Sequence, residues 1–219
     1  MLVISTLEAQ NIQLLYGKGK DKGFLTSTVE MFKPDKLGNT FFFIDFAYGN
    51  EGVEGVSSSY WEIARAFTLG KSPFAFHAEY NGGIGRWIDG TFSGSYTINS
   101  AWLTGLEYSL NNKNFTKGIT FQALYKYIQG KHDASFQLTA VWFWHAFNNK
   151  LSFTGFTDFW REDNTFGQSK TSYILMGQPQ LWYNLNKHFS AGTEVQVGCN
   201  FGGTEGWDVT PSAALKYTF

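Results

Sequence analysis

WDVTPSAALKYTF, residues 207 to 219, alternates between two kinds of residue from its first position to its last. Trp207, Val209, Pro211, Ala213, Leu215, Tyr217 and Phe219 fall on one side, and Asp208, Thr210, Ser212, Ala214, Lys216 and Thr218 on the other. A period of two marks a strand whose faces meet unlike surroundings. Here one face is greasy, edged by aromatics and closed by a terminal phenylalanine. FSAGTEVQVGCNF, residues 189 to 201, repeats the pattern, with Glu194 on its polar face among Ser190, Gly192, Gln196 and Gly198. Such strands suit a sheet with lipid on one side and a polar interior on the other.

Working back along the chain, strands are expected at about 11 to 18, 24 to 33, 40 to 49, 58 to 69, 74 to 81, 97 to 110, 117 to 129, 134 to 147, 150 to 161, 170 to 184, 188 to 200 and 207 to 219. Residues 1 to 10 read as a leader remnant or disordered tail, and 11 to 219 as a single domain. Tight polar connections (PDKLGN, GKSP, NNKNFT, NN, NKH) interleave with longer or Gly-rich ones (NEGVEGVSS, NGGIGRWIDGTFSGSY, EDNTFGQS, FGGTEG). Short turns at one end and longer loops at the other are the asymmetry of outer-membrane barrels, short end in the periplasm. The expected fold is therefore all-β: a transmembrane antiparallel up-and-down β-barrel of about 12 strands in the bacterial outer membrane, with both termini at the periplasmic end.

Composition agrees. Of 219 residues, 19% are aromatic and only 16% charged, against roughly 25% charged in soluble domains. A soluble sandwich of this size would need more charge outside. No apolar run is long enough for a spanning helix. A net charge of -1 offers nothing to nucleic acid. The lone Cys199 forms no internal disulfide, and no cofactor or metal is implied. Tyr48, Tyr60, Trp61, Tyr108, Tyr127, Trp160, Tyr183 and Tyr217 sit near strand ends, where amphipathic rings prefer the headgroup level. Pro179 and Pro211 fall inside strands and should distort them. Arg65 falls on the lipid side, where a midplane arginine costs about 2 to 4 kcal/mol, so it should lie near the periplasmic rim.

The opposite face collects Glu30, Asp45, Glu62, His77, Glu79, Glu107, Gln122, Lys126, Gln137, Asp158, Gln178, Gln180, Glu194, Gln196 and Lys216. So many buried charges need water or partners. Two readings are open at this point: a hydrated pore, or an interior plugged by carboxylates laddered against Lys126 and Lys216. Phe43, Phe143, Phe156 and Trp182 share the inward face. Flat rings beside carboxylates suit a planar, hydrogen-bonding solute, or else merely narrow the pore.

Three segments carry a resemblance to the nucleoside-specific channel-forming outer-membrane proteins, the Tsx-like family. STVEMFKPDKLGNTFFFIDFAYGN (27 to 50) resembles its strand, turn and aromatic-aspartate-aromatic strand. SYWEIARAFTLGKSP (59 to 73) and LSFTGFTDFW (151 to 160) resemble later strands. The chain is shorter than that family and its outer loops are trimmed. The resemblance implies a twelve-stranded monomer whose narrow lumen passes nucleosides, and it points to Phe43 with Asp45, to Glu62, and to Phe156 with Asp158. With the inward face, the candidate solute-binding residues are Phe43, Asp45, Glu62, His77, Glu79, Glu107, Lys126, Phe156, Asp158 and Glu194. The expected partners are outer-membrane lipids, a small solute and the barrel-assembly machinery.

Other chemistry is weaker. An outer-membrane lipid hydrolase needs a His and Ser pair within hydrogen-bond reach. His132 reads as loop and His188 as a periplasmic turn, while neither His77 nor His145 has a serine two residues away on its face. His77 and Glu79 share a face, yet two ligands do not make a metal site. NGGIGRW lacks the lysine, hydroxyl and helix of a phosphate-cradling loop. A closed structural barrel without transport is the remaining alternative.

Overall fold

The computed structural model describes residues 9–18, 23–50, 52–131 and 135–219. They form strands β1 (Ala9–Lys18), β2 (Gly23–Asp35), β3 (Gly38–Tyr48), β4 (Val56–Thr68), β5 (Phe74–Asp89), β6 (Phe92–Asn111), β7 (Lys117–Ile128), β8 (Ser135–Ala146), β9 (Leu151–Phe166), β10 (Ser169–Gly177), β11 (Gln180–Asn184), β12 (Phe189–Cys199) and β13 (Trp207–Thr218). Apart from β10 and β11, each pairs antiparallel with its sequence neighbour, and β13 pairs with β1, which closes the sheet. β10 and β11 are two halves of one wall strand, since both lie between β9 and β12. The barrel is therefore twelve-stranded. At the seam the Phe219 amide donates to the Gln10 carbonyl at 3.0 Å. β1 thus begins two residues earlier than expected, while residues 1 to 8 lie outside the described ones.

Alternation fixes what each face meets. Ile12, Leu14, Ile63, Trp102, Leu106, Tyr125, Leu138, Leu181 and Leu215 are exposed on the outer face. Such a continuous apolar belt on a closed barrel is a lipid-facing surface. Aromatic pairs mark its edges: Phe74 with Tyr108 (centroids 4.9 Å), Phe189 with Tyr217 (5.0 Å) and Tyr80 with Trp102 (4.6 Å). Arg65 faces outward and lies at the rim, as expected. Its Nη1 and Nη2 donate to Asp35 at 2.6 and 2.8 Å, and Nη1 also reaches Thr40.

Three expectations change. Residues 82 to 96 are not an outer loop: β5 and β6 continue to a two-residue turn at Gly90 and Thr91. Glycines suggested a loop, but Gly85 lies beneath the ring of Tyr96 and Gly94 beneath that of Trp87, across the hairpin. β9 likewise runs on to Phe166. The prolines differ from each other. Pro179 interrupts the wall strand between β10 and β11 without shifting its register, and Gly155 opposite leaves room, because a Cβ there would meet the Gln178 carbonyl and Pro179. Pro211 distorts nothing: β13 runs through it. Odd residues of β13 direct their amides toward β1, as Phe219 does, and the last pair with β1 is Gly17 with Ser212. Pro211 stands one position past it, so its missing N–H removes no ladder bond.

Inside, Trp182 is fully buried and lies flat over Gly192, where a Cβ would stand 2.7 Å from its ring. Gly192→Val should displace it and lower stability by about 1 to 3 kcal/mol, read as a reduced urea midpoint for the refolded barrel. Hydrogen bonds from Arg65, and then from the Leu37 amide, hold the Asp35 carboxyl down to about 2. A lowered carboxyl stabilises above its unfolded value of 3.8 and loses that contribution as pH falls to about 2. The difference in urea midpoint between wild type and Asp35→Asn should therefore be constant at neutral pH and vanish across that window.

Candidate functional site

Register carries a row of polar side chains around one half of the interior. On β4 the Tyr60 hydroxyl donates to Glu62 at 2.6 Å. On β5, His77 stands between Glu79 (2.9 Å) and Glu107 of β6 (3.1 Å), and Gln122 of β7 donates to Glu107 at 3.4 Å. Both imidazole nitrogens face carboxylates, which both are satisfied only when each nitrogen carries a proton. The small Ala64 and Ala66, opposite Glu79 and His77, make room for them. Beyond, Lys126 of β7 donates to Gln137 at 2.7 Å, Gln137 to Thr139 at 3.1 Å, and Thr139 to Asp158 of β9. Glu62, Glu79 and Asp158 lie within electrostatic range of one another and of Lys126.

The other half is built alike. Asn11 of β1 donates to Glu30 at 2.9 Å, Thr28 to Asp45, and Gln180 of β11 to Glu194 at 2.7 Å. Glu30, Phe43, Asp45, Glu194 and Gln196 are half-buried. Phe41, Phe43 and Tyr60 follow one another with centroids 6.0 Å apart at each step.

All ten candidate residues thus face inward. They divide into two groups: Glu62, His77, Glu79, Glu107, Lys126 and Asp158 on β4 to β9, and Asp45 with Glu194 on the opposite half. Phe43 adjoins the second group. Phe156 is opposite Val141 and outside both networks. The expected acid and base ladders are not there: Lys126 binds Gln137 and stands 4.4 Å over Trp160, and Lys216 stands 3.9 Å over Trp182. Among the described residues neither lysine is within ion-pair distance of a carboxylate. Instead hydroxyls and amides hold the acids. Tyr60 and Trp160, expected at the membrane interface, face inward; their parity with Glu62 and Asp158 two residues away was the available signal. Sequence reading also missed Asn81, a buried inward residue on β5.

The outer half of the interior holds an apolar cluster beside Lys126 and Gln137. Leu103, Leu124, Ile128, Trp160 and Ile174 form a buried cluster against which Phe201, in the connection after β12, packs with its ring 6.0 Å from Trp160. At the opposite end His145 Nδ1 is 2.9 Å from Ser152 Oγ, a cross-strand pair that sequence reading left open. Asn184 also donates to Ser152 at 2.9 Å. Ser152 is buried and faces the lumen rather than lipid, and among the described residues no carboxylate is hydrogen-bonded to His145. His132 lies outside the described residues. Nor do the described residues bring three or more His, Cys, Asp or Glu together as a metal site.

Two solved structures share this architecture. The barrel is similar to a "KdgM porin in complex with disordered oligogalacturonate" at 10% identity, covering 96% of this chain and 99% of that one, with a TM-score of 0.54. It is similar to the NanC porin at 9% identity, covering 96% and 98%, with a TM-score of 0.59. Likeness at such identity is one of fold, that of a closed antiparallel barrel. No curated protein matches the chain in sequence. A family model matches residues 9–219, the whole described barrel: the chain belongs to the family described as "Domain of unknown function (DUF5020)".

Proposed function

We propose that this barrel is a passive outer-membrane channel for small hydrophilic solutes that are neutral or cationic, nucleosides among them, and that it works as a monomer. The carrying observation is the composition of its inner wall: Glu30, Asp45, Glu62, Glu79, Glu107, Asp158 and Glu194 are held by neutral donors or shared with His77, while Lys126 and Lys216 are turned onto aromatic rings. An interior built only for rigidity would pair its charges, because an unpaired buried carboxylate is costly. Carboxylates left with net negative charge need water and mobile cations. The half-buried inner faces of β2, β3 and β12 offer the wettest route, past Phe43 and Asp45. There the Phe41, Phe43 and Tyr60 rings stand beside a carboxylate, an arrangement suited to stacking a planar base while accepting its N–H groups.

The same charge argues against acidic solutes. One porin of this fold is described with oligogalacturonate, a polyanion. The wall described here would repel such a chain, so we infer that fold likeness does not extend to that solute. A second reading, a barrel closed to transport, draws on Phe201 and Trp160 narrowing the outer half. In it, removing the Phe201 ring opens nothing.

Planar-bilayer recordings of the refolded protein test these readings. We expect discrete conductance in KCl, a reversal potential in a salt gradient that reports cation preference, and loss of at least half of that preference in Asp45→Asn. Added nucleoside should lower the current at millimolar concentration or below. Absence of conductance in both wild type and Phe201→Ala would overturn the channel, and conductance indifferent to nucleosides would remove them from its solutes.

A further inference from the structure

We propose that Asn81 and Glu79 form a subsite for the ammonium group of a small solute, at mid-barrel on β5. Two atoms point to it. Asn81 is 4% exposed, yet its Oδ1 has no hydrogen-bond partner. Glu79 has a side chain 8% exposed, and while Oε2 meets His77, Oε1 is unpartnered too. Buried acceptors are nearly always satisfied, and two orphans on neighbouring inward positions of one strand call for a donor from outside the chain. Two residues apart on one face, they stand close enough for one group to meet both.

The surroundings select the donor. Glu62 lies directly opposite Asn81 on β4, and Glu79 and Asp158 lie within electrostatic range of Glu62, so three carboxyls gather there. Lys126, in range of the same group, is engaged by Gln137 and the Trp160 ring. The residues do not converge as metal ligands do. A species with several N–H donors and a positive charge fits orphan carbonyl-type acceptors better than a bare ion, and an ammonium group brings three. The backbone is adapted here as well: the β5–β6 ladder shifts between Asn81 and Gly83, with one additional residue on β6, and bulges of this kind re-aim side chains beside functional sites.

The inference rests on the channel reading for the solute's route, but binding is measured without conduction. Isothermal titration of detergent-solubilised protein with 1,4-diaminobutane, at constant ionic strength, is compared with the uncharged 1,4-butanediol. Wild type should bind the diamine at least tenfold more tightly than the diol. Asn81→Ala removes an unsatisfied group, so it should keep the heat-modifiable electrophoretic mobility of a folded barrel and bind the diamine at least threefold more weakly. Asn81→Asp, of the same shape with a charge added, should bind it more tightly. Equal affinities for diamine and diol, or folded variants with unchanged diamine affinity, would overturn the subsite. A barrel that binds the diamine but never conducts would sink the channel reading alone, and one that conducts but does not distinguish amine from alcohol would sink the subsite alone.

Discussion

Everything in this structure follows from the requirement that backbone N–H and C=O groups inside a bilayer be paired. A sheet meets it only by having no edge, and here the pairing of β13 with β1 removes the last one. Phe219 secures the seam from one side through its amide and presents its ring to lipid. Once the wall is closed, period-two geometry leaves no freedom: alternate residues face hydrocarbon, and those between face one another across an interior of twelve strands. That width lies between barrels filled by side chains and those with broad aqueous channels. What the inward residues do to each other therefore decides what the molecule is.

Their answer is unusual in its charge. Two networks line the wall, and in both the carboxylates are held by neutral donors or by His77 rather than by a lysine. Thr28, Thr139, Asn11, Gln180 and Tyr60 each donate one hydrogen bond to an acid. Such donors give orientation without supplying a charge. Lys126 and Lys216 lie over indole rings, where the quadrupole compensates their desolvation. His77 stands directly between two carboxylates. The outer half differs, since Leu103, Leu124, Ile128, Trp160 and Ile174 leave Phe201 at its mouth.

The fold was largely legible in the sequence because alternation is a local signal repeated in every strand. The final strand alone gave lipid-facing parity, and register carried it to Asp45, Glu62 and Asp158. Errors arose where a local cue was read without its partner across the ladder. Glycines at 85 and 94 suggested loop until Tyr96 and Trp87 were seen covering them. Pro211 looked disruptive until the end of the β1 ladder was placed beside it. Tyr60 and Trp160 were assigned by residue type to the interface, although their parity already put them inside. The site was less legible than the fold. Which acids share a network, what holds each one, and the orphaned acceptors at Asn81 and Glu79 all depend on cross-strand neighbours that no single strand reveals.

Alternate residues of β3 point to opposite sides of the wall, Phe42 outward and Phe43 inward. In a Cys199→Ser background, single cysteines at Phe42 and Phe43 can be compared in liposomes for their rates with cationic and anionic membrane-impermeant thiol reagents. With lipid outside and a wet, acidic lumen inside, the cysteine at Phe43 should react, and faster with the cationic reagent, while the one at Phe42 is protected by lipid from both. Equal reaction at the two positions, or an anionic preference at Phe43, would rule this arrangement out.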